Sequence, residues 1–146
     1  MNTNRRRSAA LLALTLTAAT ALTGCAAVDG LLHKEKTGEY ADVTAFEEWD
    51  GTAPWVPSDA TEIRTHESTD GDVAVVLLDS DEELDPALCA EVDRQSAPAF
   101  SIDGGPNVFK TDRVFACGDW TVAASDAGWY GWTPGHPDEK EQSPVA

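Results

Sequence analysis

The most regular hydrophobic pattern inside the chain lies between Thr61 and Ser80. Thr61-Glu62-Ile63-Arg64-Thr65-His66 alternates in polarity, and Val73-Ala74-Val75-Val76-Leu77-Leu78 is continuously apolar. Asp70-Gly71 between them suits a type I′ turn, so the stretch predicts a hairpin. Its second strand is apolar on both sides and needs cover on both. The turn puts Ile63 and Thr65 on one face with Ala74, Val76 and Leu78. Glu62, Arg64 and His66 share the other face with Val73, Val75 and Leu77.

A second hairpin is expected over Arg113 to Ser125, where Gly118-Asp119 fits a type II′ turn with glycine first. Phe115, Cys117, Trp120 and Val122 then form one apolar face. Between the hairpins, Asp85 as N-cap and Pro86 at the first helical position predict a helix reaching Arg94. Leu88, Cys89 and Val92 fall on one stripe of that helix, which aims Cys89 at the sheet. Trp129-Tyr130-Gly131-Trp132 predicts a final strand whose two tryptophans point to opposite faces. Upstream, Val43 to Trp49 suits a short helix, and Pro54 and Pro57 make Thr52 to Ser58 an extended lead-in. The expected fold is α+β over residues 42–134. It is a small antiparallel sheet of about five strands with one helix packed on one face. Residues 135–146 are polar, contain Pro137 and Pro144, and predict a disordered tail.

The N-terminus follows a different pattern. Arg5, Arg6 and Arg7 precede an apolar run from Ala9 to Leu22, interrupted only by Thr15, Thr17 and Thr20. The run is shorter than the ~20 apolar residues a spanning helix needs, and it ends on small residues as a secretory signal does. It closes on Leu22-Thr23-Gly24-Cys25, which resembles the lipobox of bacterial lipoprotein signal peptides. That resemblance implies a diacylglyceryl group on the Cys25 thiol, cleavage before Cys25, and attachment to the extracytoplasmic face of the cell membrane. Residues 1–24 are then the signal peptide and 25–41 a flexible tether of small, charged and glycine residues. The alternative is a plain secretory signal with Cys25 a bystander. The arginines leave the export route, Sec or Tat, open.

Charge narrows the partners. Residues 1–24 hold three of the ten Lys and Arg and none of the 26 Asp and Glu. The mature chain therefore carries seven cations against 26 anions, a net charge of −19. Such a surface repels nucleic acid phosphates and anionic headgroups, so no nucleic acid partner is expected. With Cys25 acylated, Cys89 and Cys117 remain as an even pair in an exported chain, which predicts a disulfide. Closing that loop stabilises the fold by about 3–4 kcal/mol on the chain-entropy model. A metal pair or redox couple is the rival reading, but there is no Cys-x-x-Cys. His33, His66 and His136 also lie far from either cysteine in sequence.

Motifs for chemistry are absent. Neither Gly-x-Ser-x-Gly, Ser-x-x-Lys, a glycine-rich phosphate loop nor His-Glu-x-x-His occurs. The acidic run Asp79 to Asp85 invites calcium, but an EF-hand read from Asp79 has Leu84 and Ala90 where glycine and glutamate belong. No metal or cofactor is expected, and whether the chain is an enzyme stays open, with the balance toward none. Among five tryptophans, Trp120 and Trp55 suit the core. One of Trp129 and Trp132 is left as a candidate binding residue. Arg64 and His66 are the other candidates, on a face that is either open or covered by the Val43–Pro57 lead-in. In Trp-Val-Pro-Ser-Asp-Ala-Thr-Glu-Ile-Arg, Thr-Asp-Gly, Ala-Cys-Gly-Asp-Trp and Trp-Tyr-Gly-Trp, the mature part resembles small uncharacterised lipoproteins of high-GC Gram-positive bacteria. That likeness implies no known activity. The expectation is a non-enzymatic binding or accessory module meeting an envelope protein or wall glycan. The alternative is a small anchored cell-wall-modifying hydrolase.

Overall fold

The computed structural model of the protein describes residues 34–146. Cys25, the expected signal peptide and residues 25–33 of the expected tether lie outside these residues. The fold is mostly sheet: seven strands, not the expected five or so of an α+β fold, form one sheet in the order β1-β2-β3-β7-β6-β5-β4, every neighbouring pair antiparallel. They are β1 (Glu35–Asp42), β2 (Thr61–Ser68), β3 (Ala74–Asp79), β4 (Ala90–Asp93), β5 (Arg113–Cys117), β6 (Trp120–Ala124) and β7 (Gly128–Thr133). Two four-residue helices, α1 (Val43–Phe46) and α2 (Pro137–Lys140), and one 3-10 turn, Val108–Lys110, complete the described elements.

Both hairpins form in the expected register. Arg64 pairs with Leu77, Thr65 with Val76 and His66 with Val75. Cys117 pairs with Trp120 and Phe115 with Val122. The alternation of β2 ends near Glu62, which takes a positive φ of 49° where the register shifts by one. Val75, Val76, Leu77 and Leu78 are all buried, because each face of β3 faces its own core. Ile63, Ala74, Val76, Leu78, Trp120 and Val122 belong to one core. Val75, Leu77, Val114, Ala116, Ala123, Tyr130 and Trp132 belong to the other.

The expected helix over Asp85–Arg94 is instead a single turn followed by edge strand β4. Asp85 does act as a cap: its carboxylate accepts from the Ala87 N–H at 2.8 Å, and its carbonyl accepts from Leu88 and Cys89. The Cys89–Cys117 disulfide then places Cys89 beside the end of β5, with Cα atoms 4.3 Å apart. From there Ala90-Glu91-Val92-Asp93 alternates and pairs with the otherwise open edge of β5, satisfying its backbone groups. Arg113 bridges Glu91 and Asp93 at 3.0 and 2.7 Å. A stripe of three apolar residues cannot separate helix from strand, and here the ladder prevailed. The bridge therefore joins two neighbouring chain segments of the sheet, not a helix to a sheet.

Two boundaries also move. Residues 35–41 of the expected tether, with Asp42, form β1, paired along its length with β2. The expected tail docks through α2, whose Glu139 is 1% exposed. Glu139 Oε1 accepts from the N–H groups of Gln95 and Ser96 at 2.5 and 2.9 Å. Its Oε2 accepts from the hydroxyls of Ser96 and Thr121, both at 2.6 Å, and from the His136 N–H at 2.9 Å. Burial pushes this carboxyl up, but the donors outweigh it and hold it below the usual carboxylate range.

The cover on the two faces is the reverse of the expected one. With no helix available, the lead-in supplies Trp49, Trp55 and Ala60 to the face that the helix was to cover. Gly131 of β7 permits this, since a Cβ there would sit 2.2 Å from the Trp55 ring. Burying one indole of ~200 Å² contributes about 5 kcal/mol before entropy, which is why so thin a layer suffices. The Arg64–His66 face is covered by the segment between β4 and β5 through Phe100, Ile102 and Val108.

Cys89→Ser and Cys117→Ser should each lower stability by about 3 kcal/mol in urea unfolding, and the double variant by no more. Clearly additive losses would contradict a shared bond. Because Glu139 titrates lower in the folded chain than its unfolded value of about 4.3, its contribution is complete above that range. It is lost as pH falls through the folded value. Glu139→Gln should therefore cost about 2 kcal/mol at neutral pH and flatten the acid limb of a pH–stability curve.

Candidate functional site

The strands bring Arg64 and His66 together on one face of β2, two residues apart. Their β1 partners are Glu39 opposite Arg64 and Thr37 opposite His66. The segment Ser101–Asp103 overhangs this floor, and the two enclose a cleft of about 350 Å³. Its lining is Thr37, Gly38, Glu39, Arg64, Thr65 and His66 from the strands, with Ser101, Ile102 and Asp103 from the overhang.

Each basic side chain has a structural role here. One Arg64 Nη1–H donates to the Asp103 carbonyl at 2.7 Å. The His66 ring stacks on Phe100, with centroids 4.4 Å apart and planes 15° apart. Its Nδ1 lies 3.2 Å from the Ser101 carbonyl and its Nε2 2.9 Å from Glu35 Oε2. Both ring nitrogens thus face oxygen acceptors, and the ring is held rather than free to swing. Deeper in, Tyr130 donates its hydroxyl to the Phe100 carbonyl at 3.2 Å, and burial pushes the phenol up to about 12. It stays neutral and a donor at ordinary pH.

A larger cleft of about 550 Å³ opens on the other face, lined by Lys36, Trp49, Asp50, Glu67, Asp70, Asp119 and Trp120 among others. Size favours it, but its polar groups are engaged internally. Glu67, 5% exposed, accepts from the Trp49 indole at 2.7 Å and pairs with Lys36 at 3.3 Å. Asp119 pairs with Lys140, and Asp70 accepts from the Ser68 hydroxyl at 2.5 Å. The Trp49 ring is stacked on Phe46 and packed under Gly51, which leaves no open aromatic platform. This crevice holds the lead-in in place.

Neither candidate tryptophan joins the Arg64–His66 cleft. Trp129 is on the opposite face, edge-on to Phe115, with its indole N–H on the Glu82 carbonyl at 3.0 Å. Trp132 is on the same face as Arg64 but 1% exposed, and it donates to Ser96 Oγ at 2.9 Å. Trp132 is a core residue and Trp129 is half-buried against the other core, because the loops that cover the sheet reach their polar edges as well as their rings. Thr37 and Glu39 escaped the sequence reading. They sit on an edge strand that is polar on both sides, where no apolar period marks a strand. Among the described residues, no group of three or more His, Cys, Asp or Glu side chains is placed to hold a metal ion.

Fold and site together define a disulfide-bonded antiparallel β protein with a small polar cleft between the edge pair β1–β2 and a covering loop. No family model, no curated protein and no solved structure matches the chain.

Arg64→Ala should release the overhang. Amide exchange at Gly105, whose N–H is held by Ile102, should quicken, while global stability falls by only about 1 kcal/mol. Unchanged exchange would mean that the guanidinium does not hold the loop.

Proposed function

We propose that the chain is a lipid-anchored extracytoplasmic protein acting as a non-enzymatic binding or accessory module at the cell envelope. The Arg64–His66 cleft is its contact site. The anchor reading rests on Leu22-Thr23-Gly24-Cys25 behind a cationic and apolar leader. The Cys89–Cys117 bond accords with an oxidising compartment.

The observation that carries the binding reading is the engagement of His66. A hydrolytic base needs a ring nitrogen within reach of a nucleophile's proton. The His66 nitrogens face a carbonyl and a carboxylate, and His136 Nδ1 accepts from the Asp138 N–H as a helix cap. Among the described residues, neither ring is hydrogen-bonded to a serine or threonine hydroxyl as a base would be. A pre-formed cleft with a few convergent polar groups is instead what a ligand site requires.

Cys25→Ser should shift the protein from the membrane fraction to the medium, with loss of acyl mass at the N-terminus. Retention of the variant in the membrane would overturn the anchor. Release of soluble fragments from purified cell walls by the native protein, lost in His66→Ala, would overturn the non-enzymatic reading.

A further inference from the structure

Glu39 and Arg64 are direct cross-strand partners, and directly opposed residues project to the same face of a sheet. Opposite charges in that position ordinarily pair. Here the Arg64 guanidinium turns to the Asp103 carbonyl, and no ion pair with a described carboxylate is formed. The carbonyl occupies one of the five N–H donors that arginine presents. Arg94 and Arg113, the other described arginines, are each held by two or more contacts, to carbonyls or to carboxylates. Arg64 thus keeps most of its donors in a cleft, across from an exposed carboxylate that also lacks a described cationic partner.

Three ligand classes can be weighed against that arrangement. A simple anion would meet Arg64 but also Glu35, Glu39 and Asp103, inside the field of a mature chain of net charge −19. A simple cation would meet Glu39 beside a fixed guanidinium. A molecule carrying both charges, with none net, avoids either repulsion and is oriented by the local pair. The cleft of about 350 Å³ is at the small end of ligand pockets, which suits one or two residues of peptide.

We propose that the cleft binds an amino-acid-type zwitterion, its carboxylate on the Arg64 guanidinium and its ammonium on Glu39, with Thr37 and the Ser101–Asp103 overhang enclosing it. This rests on the cleft being the contact site. A free amino acid and a short peptide with both termini free share the required chemistry.

The test is titration of the full chain, purified from membranes, with L-alanine, L-alanyl-L-alanine, and the N-acetyl and C-amide derivatives of each. The readout is the backbone amide resonances of Thr37–Glu39 and Ser101–Gly104. At least one zwitterion should shift these signals saturably, and comparison of the two identifies amino acid or peptide. Blocking either terminus should weaken binding roughly tenfold or more, as loss of one charge-assisted hydrogen bond predicts. Arg64→Gln and Glu39→Gln should each weaken it by a similar factor. Glu39→Gln serves as the control for folding, since that side chain supports no described contact. Equal binding of an N-acetyl derivative would make this a plain anion site, and equal binding of an amide a cation site. Either would overturn the zwitterion while leaving the cleft a contact site. No shift with any probe, or zwitterion binding untouched by both substitutions, would overturn the proposal outright.

Discussion

A strand that is apolar on both faces cannot be left bare on either, and β3 imposes that demand on the whole molecule. Val76 and Leu78 face one core, Val75 and Leu77 the other, and both cores are closed by irregular chain instead of long helices. Covering a sheet with loops brings a second demand, because loop carbonyls pressed against an apolar surface lose water and need donors. Side chains of the sheet supply them. Trp120 donates to Thr52, Trp129 to Glu82, Tyr130 to Phe100 and Arg64 to Asp103. The aromatic richness of the chain thus provides buried area and polar anchoring in the same residues.

Buried carboxylates extend the same logic to a very acidic protein. Among the described residues Glu139 has no cationic partner, and it is satisfied by five donors, three from backbone and two from hydroxyls. Through it the C-terminal helix, the start of the covering loop and strand β6 meet at one point. Glu67 performs a similar service on the other face, tying the Trp49 indole to the β2 end of the first hairpin. With few cations available, the chain fixes its covering segments mainly by hydrogen bonds to neutral donors, which salt screens little.

The cleft is a by-product of that construction and acquires its chemistry from it. Arg64 and His66 are half-buried because they hold the overhang, and the same contacts keep them oriented toward the gap beneath it. A site assembled this way is pre-formed, and it presents polar groups whose rotamers are already limited. That suits the proposed recognition of a small polar molecule.

Local signals were enough for the hairpins. Gly118-Asp119 forms its expected two-residue turn, whereas the first hairpin keeps its expected register through a four-residue connection, Thr69–Asp72, in which Gly71 and not Asp70 takes the positive φ. Strict alternation assigned Ile63, Arg64, Phe115 and Val122 to their faces. The even cysteine pair likewise announced its bond. Tertiary structure decided the rest. Whether Asp85–Arg94 became helix or strand depended on an open β5 edge that lies far away in sequence. Which loop covered which face depended on that outcome in turn. Strand β1, polar on both sides, became visible only through its pairing with β2, and with it Glu39 took its place opposite Arg64. Turn geometry and side-chain period act over a few residues and can be read along the chain. Edge pairing and face cover are settled between distant segments competing for the same unsatisfied surface.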